Sequence, residues 1–146
     1  MQPSQFKKSP VFIFCFFIAT GAAAQLDCAS SRILGKWKEI ASMPGVITNL
    51  DSAKDVAINT KRNIGTWEFF ADKSYQYKHA LHRSRYKPKG SYLVDEQTCE
   101  IIIASKKYKR EDSNLEILHV DDRYLLYKSN NNPKGYFTHL LRKSED

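Results

Sequence analysis

The residues best equipped for chemistry are few and mostly stand apart. His79-x-x-His82 is the only close histidine pair, and two imidazoles three residues apart make a poor metal site without a third ligand nearby. His119 stands beside Asp121-Asp122, but acids in a tight turn commonly serve the geometry of the turn itself. There is no glycine-flanked serine elbow, no phosphate-cradling glycine loop and no defensible carboxylate pair. Enzymes with local signatures are excluded on that count, and neither catalysis, a metal nor a cofactor is expected. Haem held by His79 or His139 is the one cofactor chemistry the histidines leave open.

Those side chains sit in a chain of 146 residues, room for one domain behind a leader. Lys7 and Lys8 form a basic head, Val11 to Ala19 an apolar stretch with four phenylalanines, and Ala22-Ala23-Ala24 a small-residue cleavage site. This is the pattern of a secretory signal peptide over residues 1–24, and its apolar run is about half of what a membrane span needs. The mature chain, 25–146, is therefore expected to be secreted or periplasmic, with no stable membrane span. Without Lys7 and Lys8 it holds 21 basic and 16 acidic residues, a formal charge of +5. Cys15 leaves with the leader, and the remaining pair in an oxidising compartment predicts a Cys28–Cys99 disulfide. The alternative, lipidation of Cys28, is opposed by Asp27 and Gln25, which stand where a lipobox needs small and leucine residues.

The positions of these residues depend on a series of alternating runs. Leu34 to Ser42 alternates, with Gly35, Trp37 and Glu39 on one face. Residues 43–63 open with Pro44-Gly45 and read as a long excursion, in which Asp51 to Ile58 could form a short helix capped by Asp51. Gly65 to Ala71 and Tyr75 to Leu81 form an aromatic hairpin around Asp72-Lys73-Ser74. Gly90 to Val94 and Thr98 to Ser105 pair across Asp95-Glu96-Gln97, and Leu115 to Val120 pairs with Arg123 to Lys128 across Asp121-Asp122. Gly135 to Lys143 is the last strand. Eight short strands with no helix of three turns predict an all-β fold, an eight-stranded antiparallel up-and-down barrel, with a two-sheet sandwich as the alternative.

Gly35-x-Trp37 at the head of the first strand, the aromatic runs flanking Asp72-Lys73-Ser74, and Val120-Asp121-Asp122-Arg123 in a late hairpin together resemble a bacterial lipocalin-like domain. Arg142 in the final strand completes the resemblance, which covers essentially the whole mature chain. It implies that Trp37 closes the base of a calycin-type barrel and is stacked by Arg142. The helix that follows the barrel in longer lipocalins is missing from the sequence.

An up-and-down barrel places alternate connections at opposite ends. The long ones, Met43–Asn63, His82–Lys89, Lys106–Asn114 and Ser129–Lys134, make a mouth, and the short turns make a base holding Cys28, Cys99 and Trp37. Arg83, Arg85, Lys87, Lys107 and Lys109 gather on the mouth loops, where a positive field favours anionic ligands or an acidic surface. Trp67, Phe69, Tyr75, Tyr77, His79, Tyr92, Ile101, Ile103 and Tyr127 are expected to point inward as the ligand-binding wall, Ile117 with them, unless the barrel is filled by its own side chains. The leading expectation is a secreted, non-enzymatic carrier of a small hydrophobic or amphipathic, anionic ligand. The alternative is an interaction module whose basic loops bind an acidic glycan, a lipid headgroup or a protein. Lys106-Lys107-Tyr108-Lys109-Arg110 interleaves charge with an aromatic ring as single-strand binders do, but a secreted address argues against nucleic acid.

Overall fold

Short period-2 runs separated by acid-rich turns can bury one face only if their sheet curls over it, and this chain carries that to closure. The computed structural model describes residues 26–60, 64–80, 88–106, 113–130 and 134–145. The leader and the rim residues Arg83, Arg85, Lys87, Lys107 and Lys109 lie outside the described residues. The strands are β1 (Gly35–Pro44), β2 (Gly65–Phe69), β3 (Ser74–His79), β4 (Lys89–Asp95), β5 (Glu100–Ser105), β6 (Ser113–Val120), β7 (Tyr124–Asn130) and β8 (Tyr136–Lys143). Each pairs antiparallel with its sequence neighbours, and β8 pairs back onto β1 to close an eight-stranded barrel.

Three tight turns share one end, and an aspartate organises each. Asp72 accepts hydrogen bonds from the N–H and hydroxyl of Ser74, Asp95 from the N–H groups of Gln97 and Thr98, and Asp121 from those of Arg123 and Tyr124. An aspartate that bonds the backbone two residues on builds the turn without help from the strands. The base inside these turns is plugged by the segment before β1. Its single helical turn, α1 (Ser30–Ile33), buries Ile33, whose carbonyl accepts a 2.8 Å hydrogen bond from the Trp37 indole N–H. Cys28 is joined to Cys99, the Cα atoms 5.6 Å apart, and both pack on the cluster containing Trp37, Phe69, Ile101, Leu125 and Leu141.

Three expectations need correction. The excursion after β1 carries a full helix, α2 (Leu50–Thr60), of 11 residues. Its cap is Asn49, not Asp51: the Asn49 side-chain oxygen accepts the Ser52 N–H at 3.0 Å. Ala53 and Ala57, four apart on one face, let the helix lie close against a second core built of Ala41, Met43, Leu126 and Leu140 on the outer side of the barrel. Thr138 pins the approach to the helix, donating to the Gly45 carbonyl at 2.8 Å and accepting from the Ile47 N–H at 2.9 Å.

The second correction concerns facing. The pairing of β1 slips between Glu39 and Ala41, and that of β6 between Ile117 and His119. An extra residue in one strand shifts every later side chain to the other face. Trp37 and Glu39 therefore point into the barrel, whereas Ala41 and Met43 pack beneath α2. The third concerns the cation on Trp37. It is Lys143, with Nζ 5.0 Å from the ring centroid, because Trp37 is the register partner of Lys143. Arg142 pairs with Lys38 and is exposed on the outer wall.

Candidate functional site

At the mouth end the described residues leave a hollow in the interior. This hollow of about 360 Å³ is lined by Glu39, Ser42, Ile64, Trp67, Tyr77, Ser113, Leu115, Tyr127, Ser129, Asn130 and His139. The strand register explains the polar floor. Tyr127 of β7 stands opposite His139 of β8, Leu141 of β8 opposite Glu39 of β1, and Glu39 opposite Gly65 of β2, so one circumferential band carries an acid, an imidazole and a phenol. Gly65 has a steric purpose: a Cβ there would stand 2.6 Å from ring carbons of Tyr77. The tyrosine lies across the glycine, and its hydroxyl approaches the second Glu39 oxygen at 3.4 Å.

Glu39 is 3% exposed, an unusual burial for an acid, and its chief partner is His139, with Nδ1 to Oε1 at 2.6 Å. The far ring nitrogen of His139 lies 2.9 Å from the Ser129 hydroxyl oxygen. The imidazole is held flat by Tyr127, its ring centroid 4.7 Å away at 16°. Trp67 spans the hollow between Tyr77, centroids 4.7 Å apart, and the edge of Tyr127 at 6.5 Å. Its indole N–H is buried and meets no acceptor in good geometry among the described residues, although it lies near enough to the Tyr127 oxygen to favour the ionised form slightly. Burial, followed by the Glu39 charge and the hydrogen bond to it, pushes the Tyr77 phenol well above its ordinary range. Burial and then the Glu39 charge do the same to Tyr127. Both phenols are therefore neutral donors across the physiological range.

Of the residues expected to form a ligand-binding wall, Trp67, Tyr77 and Tyr127 line this hollow. Phe69, Tyr75, Tyr92, Ile101 and Ile103 point inward as expected but belong to the packed core and are not part of the hollow's lining. His79 packs edge-on against Tyr77, centroids 6.3 Å apart, outside the lining of the hollow. Sequence reading missed Ser129 and Glu39 and considered His139 only for haem. Both ring nitrogens of His139 are committed, one to Glu39 and one to Ser129, which disfavours that role. The signal available was Glu39 itself, an acid on the same strand face as Trp37. Among the described residues, no group of three or more His, Cys, Asp or Glu is placed to hold a metal ion, and no helix is long and apolar enough to cross a membrane.

No family model and no curated protein matches the sequence. Among solved structures, the chain is similar to a DUF4847 family protein from Bacteroides vulgatus ATCC 8482, with a TM-score of 0.48 and 13% identity over 77% of this chain and 94% of that one.

Proposed function

We propose that the protein is a secreted or periplasmic lipocalin-like carrier whose barrel mouth holds a small amphipathic ligand. The observation that carries this reading is the unfilled upper interior, a hollow whose volume is at the low end for small-molecule sites and which combines aromatic walls with a few convergent polar groups. An apolar ring or short chain fits against Trp67, Tyr77, Leu115 and Tyr127, with polar atoms directed to Ser113, Ser129 and Asn130. Glu39 on the floor refines the anionic expectation: an acidic head belongs at the mouth, away from a buried carboxylate. The disulfide and the leader pattern support an oxidising compartment.

Trp67 lines the hollow and Trp37 does not, so the two tryptophans give an internal control. Titration with short-chain fatty acids and small aromatic acids should quench the fluorescence of wild type and of Trp37→Phe, and leave Trp67→Phe unchanged. Native mass spectrometry of the purified protein should show a co-purifying small molecule. Absence of both a bound mass and any quench across these ligand classes would count decisively against the carrier reading.

A further inference from the structure

We propose that Ser129, His139 and Glu39 form a serine nucleophile site within the cup, and that the protein hydrolyses small carboxylic esters there. The three residues belong to β7, β8 and β1, and only closure of the barrel between β8 and β1 brings them together. Their order is functional. In the neutral tautomer proposed for His139, the Nδ1–H donates to Glu39 across the 2.6 Å contact. Nε2 then carries a lone pair, and Ser129, 2.9 Å away, donates its hydroxyl to it. A nucleophile bonded to a base that is in turn oriented by a buried acid is the arrangement acyl-transfer chemistry needs, whatever the fold that supplies it.

The surroundings fit the same chemistry. Stacking by Tyr127 and the Glu39 bond hold the imidazole in one orientation. Ser129 is half-buried and lines the hollow, so an acyl group in the cup can reach its oxygen.

In the first step the Ser129 oxygen bonds to the acyl carbon while its proton passes to Nε2 of His139, and the carbonyl electron pair moves onto oxygen. Collapse of that adduct breaks the ester C–O bond, and the departing alkoxide takes the proton from Nε2. Water then attacks the acyl-serine, again giving its proton to Nε2, and Ser129 leaves with that proton. The net reaction is ester plus water to acid plus alcohol, with no change of oxidation state.

This inference rests on the cup being open to small molecules, as in the carrier reading, and the test separates the two. The full mature protein is treated with a small dialkyl fluorophosphonate, which bonds phosphorus to a base-activated serine and expels fluoride, and peptide mass spectrometry locates the adduct. Tryptophan quenching by a small aromatic acid is measured on the same samples. One adduct on Ser129 is expected in wild type, none in Ser129→Ala, and labelling slowed by roughly 100-fold or more in His139→Gln. Glu39→Gln, a change to the positioning residue, should slow labelling and lower kcat for p-nitrophenyl acetate, by on the order of 100-fold. Quenching without an adduct on Ser129, or labelling as fast in His139→Gln as in wild type, overturns the nucleophile and leaves the carrier reading standing. Neither quenching nor an adduct overturns both.

Discussion

The two ends of this barrel are built from the same strands and could hardly differ more. At the base Trp37, Ile33, Ile101, Leu125 and Leu141 are fully buried, the N-terminal segment plugs the opening, and a disulfide ties the plug to the turn before β5. At the mouth the inward positions carry Glu39, Ser129, Tyr77 and His139 around a hollow. Polar side chains on an inner face cost stability unless they are paired, and here they pair chiefly with one another. An eight-stranded barrel can therefore gather its cohesion at one end and tolerate a costly polar array at the other. Substitutions at the two ends should therefore separate stability from binding.

The largest effect expected is at Trp37. Its replacement by alanine removes a fully buried ring and leaves its partner Lys143 over a void, and should lower unfolding free energy by about 3–5 kcal/mol in urea. The folded fraction should still show Trp67 quenching. Breaking Cys28–Cys99 with a double serine substitution comes next. The bond spans 71 residues, and its loss should cost roughly 4 kcal/mol in the chain-entropy account, read as a lower urea midpoint with ligand affinity retained in the folded state. If either base variant lost ligand binding while remaining folded, the division of labour between the ends would fail.

The base was far more legible in the sequence than the cup. Alternation located all eight strands, and Asp72, Asp95 and Asp121 marked the three tight turns, because hairpin chemistry is local. The cysteine count gave the disulfide for a similarly simple reason. The aromatic wall of the cup was partly legible in Trp67, Tyr77 and Tyr127, but its polar floor was not, because Glu39 and His139 lie 100 positions apart and meet only through barrel closure. The bulge at Ile40 hid the face change that sends Met43 and its neighbours outward, and the one at Leu118 hid the change that turns Val120 inward, since an extra residue in a ladder leaves no compositional trace. Helix α2 was underestimated because Ala53 and Ala57 form a narrow apolar stripe rather than a broad one.

The same division predicts two opposite pH limits. At the base, the hydroxyl and N–H of Ser74 hold the Asp72 carboxyl below its usual value, and the N–H groups of Thr98 and Gln97 do so for Asp95. For Asp121, burial pushes the other way but is outweighed by hydrogen bonds from His119, Arg123 and Tyr124. A depressed carboxyl contributes stability that is intact above about pH 4 and is lost as pH falls through the folded value. At the cup, Tyr77 and Tyr127 are raised, so above about pH 10 the unfolded phenols ionise while the folded ones do not. Stability should then decline by up to about 1.4 kcal/mol per pH unit for each. Urea midpoints measured from about pH 9 to about pH 11 should fall less steeply for Tyr77→Phe and Tyr127→Phe than for wild type. Asp121→Asn should flatten only the acid limb, and a swap of these two behaviours would contradict the assignment of the groups to their ends.

The smallest expected effect tests the sharpest detail of the base, the cation over Trp37. An arginine in the final strand was the natural candidate, but strand parity decides the matter. Lys143 shares the inner face with its register partner Trp37, whereas Arg142 faces outward beside Lys38 and Tyr124. A single cation over an indole contributes about 0.5–1 kcal/mol when partly exposed. Lys143→Ala should therefore lower the unfolding free energy by about that amount, plus a little for the aliphatic stem packed on the ring. Arg142→Ala should change it by less than about 0.5 kcal/mol, as surface substitutions generally do. A double-mutant cycle with Trp37→Phe assigns the coupling. A favourable term between Trp37 and Lys143 fits the inner-face geometry, while a larger one between Trp37 and Arg142 would require the register of β8 on β1 to be shifted by one residue. Such a shift would also turn His139 out of the cup and dismantle the Ser129–His139–Glu39 array, so this modest measurement at the base bears directly on the chemistry at the mouth.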